Sequence, residues 1–329
     1  MLALCLAFAF LQQAPVPTYD PLRRESEATT SRELTAHDEA RQRDVPLRVW
    51  LPAGESPAPV VLWSHGLGGS RDNSGYLAEH WCARGYAVVY LQHPGSDESV
   101  WRDAGRGERV GALQRAASGQ NLVLRCGDVK AVLDALAAWN SDASSPLHGR
   151  LDLDHVGMSG HSFGAVTTQA VAGQTAPGIG ARFTDTRIDA ALPMSPSVPK
   201  AGTPARAFGG VSVPWLLMTG TEDRSPIGDF EVEDRLAVYP ALPTTIDRYE
   251  LVLQGADHGV FGQRTIGRGG EAKAAHHRTI LALSTAFWDT HLRGDAAARA
   301  WLHGDGATQA LGKGDRWQVG SKSAEGGAR

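Results

Sequence analysis

Three side chains in this 329-residue sequence have the types and spacing to do chemistry together: Ser162, Asp223 and His258. Ser162 is the centre of Gly160-His161-Ser162-Phe163-Gly164, a G-x-S-x-G run. A strand-like segment (154–158) precedes the run, and a helix-like one (165–172) follows it. In that setting a tight strand-to-helix turn lifts a serine hydroxyl above a sheet on strained backbone. The flanking glycines let strand and helix approach closely. The helix N-terminus then aims backbone N–H groups at any anion forming beside the serine. The pentapeptide alone is a weak signal, because Gly and Ser are common, and its flanks give it weight.

A serine hydroxyl is a poor nucleophile at neutral pH and needs a base. His258 can take its proton during attack and return it to the leaving group. Asp223 can accept from the other imidazole nitrogen, fix the tautomer and stabilise the imidazolium. The tetrahedral oxyanion needs two convergent donors, and the backbone N–H groups of Leu67 and Phe163 are placed for it. Each piece also has a plainer explanation. Asp223 can be a turn residue before Pro226, with Glu222 a neighbouring competitor for the role of acid. His258 can cap a helix, with Asp257 a loop carboxylate, and His65-Gly66 can be an ordinary strand exit. What weighs against coincidence is the order Ser, Asp, His, with each residue just after a separate apolar run.

Those runs imply the elements that must hold the site. Residues 44–52 alternate Leu47, Val49 and Leu51, as a half-buried strand does. Residues 59–63 and 86–91 are continuously apolar, the mark of strands buried on both faces. Further strands are expected at 156–158, 190–194, 215–218 and 249–253. Helices are expected at 76–83, at 165–172, from Leu122 to about Trp139, and from about Lys273 to Leu292. Alternating strands and helices predict one α/β domain with a mostly parallel central sheet covered on both faces. The divisions are a signal peptide at 1–14, an N-terminal extension at 15–40 that is irregular to about Glu33, the α/β domain at 41–300 and a C-terminal tail at 301–329 that is Gly-rich and loose from Gly304 onward. Ligands of such sheets bind beyond the carboxyl ends of the strands, which is where all the candidate residues fall.

His65-Gly66-Leu67-Gly68-Gly69 together with Gly160-His161-Ser162-Phe163-Gly164 resembles the platelet-activating-factor acetylhydrolase and dienelactone-hydrolase-like group of α/β hydrolases. The resemblance covers roughly residues 40–295. It includes Gly68-Gly69-Ser70-Arg71-Asp72 and Leu91-Gln92-His93-Pro94-Gly95-Ser96-Asp97. It implies the α/β-hydrolase fold and carboxylic-ester hydrolysis through an acyl-enzyme, without a cofactor. Two departures bound it. The acetylhydrolases place their acid soon after the strand that follows the elbow, where this chain reads Met194-Ser195-Pro196-Ser197. Asp223, one strand later, matches the commoner layout of cutinase-like and polyester-degrading enzymes. Dienelactone hydrolases use a cysteine nucleophile, and this elbow carries serine.

The expected function is therefore serine carboxylesterase. Its alternatives are hydrolysis of a polyester, thioester or amide, or a catalytically silent binding protein of the same fold. Three insertions (94–120, 199–210 and 226–247) carry Trp101, Phe208 and Phe230, which can line an acyl pocket or simply pack the surface. Insertion 94–120 is polar and Gly-rich, which predicts a shallow pocket and short acyl groups. His93 and Asp97 lack the further ligands a metal site needs and read as a loop hydrogen-bond pair. His276-His277 reads as solvated. Cys82 and Cys126 fall in helical patterns and read as separate buried thiols. A formal net charge of −4 without a Lys/Arg cluster argues against nucleic-acid partners. The apolar run Leu2–Leu11 is too short to span a bilayer. It suits the core of a signal peptide cleaved near Ala14, and hence export, although no Lys or Arg precedes it. If the run is not a signal peptide, the protein is cytoplasmic. The expected partner is a small-molecule ester.

Overall fold

The computed structural model of the protein describes residues 19–26, 29–262 and 270–321. Nine strands form one sheet: β1 (Thr30–Asp38), β2 (Arg43–Leu51), β3 (Ala58–Ser64), β4 (Ala87–Leu91), β5 (Leu151–His161), β6 (Ala190–Met194), β7 (Trp215–Glu222), β8 (Arg248–Asp257) and β9 (Arg316–Gly320). Their order across the sheet is β1-β2-β4-β3-β5-β6-β7-β8-β9. The six strands from β4 to β8 in that order are parallel, and β1, β2 and β9 pair antiparallel at the edges. The protein is thus α/β with a mostly parallel sheet.

Helices α1 (Gly75–Ala83) and α8 (Gly270–Leu292) cover one face, and α4 (Gly119–Ser141) and α5 (Phe163–Val171) cover the other. The continuous apolar run of β3 follows from this. Val61 and Trp63 enter the core shared with Trp81, Phe287 and Trp288, while Val60 and Leu62 enter the core shared with Val129, Leu133 and Leu136. Side chains alternate across a strand, so a strand covered twice needs apolar residues at every position. Short helices occupy the insertions and the C-terminal region: α2 (Ser99–Arg102), α3 (Arg109–Ala116), α6 (Pro204–Phe208), α7 (Val232–Leu236), α9 (Ala296–His303) and α10 (Asp305–Gln309). Helix α4 runs 23 residues, longer than its apolar pattern suggested, because Ser118 caps it upstream by accepting from the Asn121 N–H.

Both ends of the domain need correction. The extension at 15–40 is not irregular throughout, since residues 30–38 form the edge strand β1. An edge strand exposes much of its length, so it lacks the alternation that reveals inner strands. Residues 19–26 are also held down. Tyr19 Oη donates to Asp289 at 2.7 Å, and Arg84 Nη1 donates to the carbonyls of Asp20 and Arg23. The tail at 301–329 is not loose over its described part either. Strand β9 pairs with β8, and Trp317 stacks on Tyr249 with ring centroids 5.7 Å apart. The expected leader at 1–14 lies outside the described residues. Cys82 and Cys126 are buried and free, and they belong to cores on opposite faces of the sheet. Among the described residues no helix is long and apolar enough to cross a membrane.

Asp289 is the hub that joins residues 19–26, α1 and α8. Besides Tyr19 it accepts from Tyr86 Oη at 2.6 Å and from Arg84 Nη2 at 2.8 Å, and it is 1% exposed. Asp289→Ala strands the buried Arg84 guanidinium without its counter-charge. The expected loss in unfolding free energy is about 3 kcal/mol, read by denaturant titration, with earlier proteolytic cleavage near residue 23.

Candidate active site

The strand order turns about β3: the chain moves from β3 outward to β4, then crosses back to β5 on the other side. The carboxyl ends of β3 and β5 therefore flank the crevice where such sheets bind ligands. Ser162 sits there, between β5 and α5, with φ 58° and ψ −116°. A non-glycine residue at positive φ is uncommon, and it costs energy that the surroundings must hold in place. Two glycines make the turn possible. A Cβ on Gly164 would overlap the Ser64 carbonyl at the end of β3, and one on Gly160 would collide with the Gly164 carbonyl. The Ser162 N–H donates to the Met194 carbonyl at 2.9 Å, which ties the turn to β6.

The three residues singled out by type and order come together at this point. Ser162 Oγ lies 2.9 Å from His258 Nε2, and His258 Nδ1 lies 2.7 Å from Asp223 Oδ1. A carboxylate only accepts, so the Nδ1 position carries the proton and Nε2 is free to accept from the serine hydroxyl. Asp223 is fully buried, and its Oδ2 accepts from Thr219 Oγ1 at 2.9 Å. Burial alone would raise this carboxyl, but the His258 hydrogen bond and the Arg235 charge outweigh it and hold Asp223 at about 2. Glu222, the neighbouring competitor, is exposed and makes none of these contacts. Asp257 is a turn carboxylate that accepts from the Gly259 N–H at 2.9 Å. Beside the triad-like line His161 packs on His258, ring centroids 4.6 Å apart, and burial pushes its imidazole down to about 3.

Leu67 and Phe163 both line the crevice next to Ser162. Phe163 opens α5, so its N–H is one of the donors a helix leaves unpaired. Behind both residues lies a buried polar cluster that sequence reasoning missed. Arg125 of α4 is fully buried and donates to the His65 carbonyl at 2.8 Å and to Ser96 Oγ at 2.8 Å. Its guanidinium also lies 4.5 Å from the centre of the Phe163 ring. One side chain thus braces both segments that present the candidate oxyanion donors. Next to it Ser64 Oγ donates to His93 Nε2 at 2.9 Å, and His93 Nδ1 donates to Asp128 Oδ2 at 3.0 Å. Arg43 Nε reaches Asp128 at 2.7 Å. His93 therefore pairs with Asp128 and not with Asp97, which instead accepts from Gln92 Nε2 at 2.7 Å. The available signal was an arginine and an aspartate three residues apart on the apolar face of a helix.

The crevice opens into a cleft of about 1020 Å³. Trp101 and Phe230 line it, but Phe208 does not. Phe208 is fully buried against Trp215 in the core beneath the sheet, because α6 turns its apolar face inward. Trp101 Nε1 donates to the Gly68 carbonyl at 2.7 Å, so insertion 94–120 roofs the Leu67 loop. Gly68 has φ +67°, and a Cβ there would strike Leu113 and Trp101. The polar, Gly-rich insertion expected to make the pocket shallow forms only part of the cleft wall. Leu122, Val166, Val198 and Ile227 supply apolar wall from elements outside it or at its edge. His277, expected to be solvated, stacks on Tyr76 at 4.0 Å and donates to the Val260 carbonyl, since α8 begins over that turn. Among the described residues no group of three or more His, Cys, Asp or Glu side chains could hold a metal ion.

The buried imidazoles give the fold a pH signature. Burial and the nearby Arg125 charge push His93 from 6.5 down to about 4, despite Asp128. The folded protein thus takes up this proton later than the unfolded chain as pH falls. Stability conferred by neutral His93 is complete above pH 6.5 and is lost as pH drops from about 6.5 to about 4. His161 adds loss in the same direction, down to about pH 3. Scanning calorimetry between pH 7 and 4 should show Tm falling steadily, with a shallower slope in His93→Gln.

No protein-family model matches the chain, and no curated protein matches it.

Proposed function

We propose that the protein is a serine carboxylesterase of the α/β-hydrolase fold. The observation that carries this reading is the unbroken line Ser162 Oγ–His258–Asp223 at 2.9 and 2.7 Å. Its serine is held at positive φ at the head of a helix and opens onto a cleft. His258 Nε2 takes the hydroxyl proton as Ser162 Oγ adds to the ester carbonyl carbon. The oxyanion forms beside the N–H groups of Leu67 and Phe163, which are preorganised by the Arg125 brace. His258 then protonates the departing alkoxide, leaving an acyl group on Ser162. A water enters, gives its proton to His258 and attacks the acyl carbon, and collapse returns the proton to Ser162 with release of the acid. The chain needs no cofactor for these steps.

The cleft favours substrates larger than a short-acyl ester. At about 1020 Å³ it stands at the top of the range for ligand sites, roughly 300–1,000 Å³, and it is open to solvent on one side. Apolar wall is available to cover additional methylenes, each stabilising the bound state by about 0.8 kcal/mol when fully buried.

Two measurements test the proposal. Asp223→Asn leaves the imidazole in the wrong tautomer and should cut kcat by about three to four orders of magnitude, whereas Glu222→Gln should change it less than threefold or so. Equal losses in both variants would remove Asp223 from the acid's role. On a series of chromogenic esters, kcat/KM should hold or rise from acetyl to about octanoyl. A steep fall beyond acetyl would contradict the substrate size read from the cleft.

A further inference from the structure

Arg235 is the least expected side chain near the site. It lies on α7, inside insertion 226–247, and is 2% exposed. A buried guanidinium survives only where its donors and its charge are both answered. Here Nε donates to the Asp223 carbonyl at 2.6 Å and lies 3.1 Å from Asp223 Oδ1. Nη1 donates to the carbonyls of Ser195 at 2.8 Å and Pro196 at 3.1 Å, at the exit of β6. Nη2 reaches to 3.3 Å from His258 Nδ1. That nitrogen already spends its proton on Asp223, so this last contact brings two donors together and is one of charge proximity, not a hydrogen bond.

We propose that Arg235 is a positioning residue of the site: it fixes the Asp223 carboxylate toward His258 and, by its charge, opposes protonation of His258, so that the base is available at lower pH. The proposal rests on the esterase reading for its catalytic consequence, but its electrostatic part holds without it. An ordinary Ser-His-Asp line leaves a full negative charge behind the imidazole, which favours the imidazolium and keeps the base occupied in mild acid. Arg235 offsets that charge at the same oxygen, Asp223 Oδ1, that His258 Nδ1 contacts.

Arg235 is the cation in direct contact with both Asp223 and His258, and other titratable groups stand around the same imidazole. His161 at the end of β5 is held neutral by burial. Asp257 precedes His258 on its own element and carries the opposite sign. Lys273 and His276 of α8 also line the cleft. The same insertion that carries Arg235 also sends Ile227 and Phe230 into the cleft wall.

The test compares Arg235→Met, which keeps length without charge, with Arg235→Lys, which keeps charge. Two readouts are followed against pH. One is kcat/KM on a chromogenic ester. The other is the His258 imidazole titration by NMR of histidine-labelled protein, assigned with His258→Asn. In Arg235→Met both midpoints should move upward by about one to two pH units, so that the ester rate falls tenfold or more at pH 6 and much less at pH 9. Arg235→Lys should keep both midpoints within a few tenths of a unit. A purely structural brace would lower the rate equally at all pH values and leave the midpoints in place, which would overturn the proposal. If wild-type protein turns over no ester while the NMR midpoint still moves, the esterase reading fails and the electrostatic role of Arg235 stands. If Arg235→Met does not fold, Arg235→Lys carries the test with Arg235→Gln as the uncharged partner, read by the same two midpoints.

Discussion

Strand β3 and helix α5 touch where Gly164 meets the carbonyl of Ser64, and the site is organised around that contact. Nothing larger than a hydrogen fits there, since a Cβ would overlap the oxygen. The contact lets the helix start directly above the sheet, and the chain can then reach it from β5 only through a turn with Ser162 at φ 58°. It also brings the end of β3, and so His65-Gly66-Leu67, alongside the first turn of α5. The candidate nucleophile, the helix N-terminus and the candidate second N–H donor are thus placed by one packing constraint. A strained residue persists because the sheet on one side and the helix on the other leave it no alternative.

Two buried arginines complete the arrangement from opposite sides. Arg125 braces the segments behind the candidate oxyanion site, while Arg235 sits behind the candidate acid. Removing either from water is costly; Arg125 is answered by the His65 and Ser96 carbonyls together with the Ser64 and Ser96 hydroxyls, and Arg235 by three carbonyls together with the Asp223 carboxylate. Carbonyl acceptors at strand exits are otherwise hard to satisfy, so the guanidinium forks tie these exits together while they carry charge close to the candidate catalytic groups. The buried line Ser64–His93–Asp128 repeats the residue types of Ser162–His258–Asp223, yet all three members are fully buried. The same chemistry of donor, imidazole and carboxylate serves here as a fixed strut with no route to a substrate.

Much of the site was legible because it depends on local signals. Gly160 and Gly164 around Ser162, and apolar runs ending just before Leu67, Asp223 and His258, are short-range patterns that a parallel sheet converts into proximity. The edge strands were not legible. Thr30–Asp38 is polar along most of its length, and Arg316–Gly320, although Trp317 and Val319 alternate with polar residues, is only five residues long and lies in a Gly-rich stretch. Arg235 left no signal at all, because its partners Asp223, Ser195 and Pro196 come from distant turns that meet only in the folded chain. Arg125 did leave one, as a charge on an apolar helix face, but nothing in the spacing says that its partner is the carbonyl of His65. Phe208 failed for a related reason: an aromatic in an insertion can face a cleft or a core, and the direction in which α6 turns decides which.

Activation of Ser162 as a nucleophile is the property on which the esterase reading stands, and reaction with a fluorophosphonate followed by peptide mapping tests it most directly. The predicted result is a single adduct on Ser162 of the folded protein, lost in His258→Ala and absent after denaturation. A folded protein that takes no label, or takes it on another residue, would contradict it.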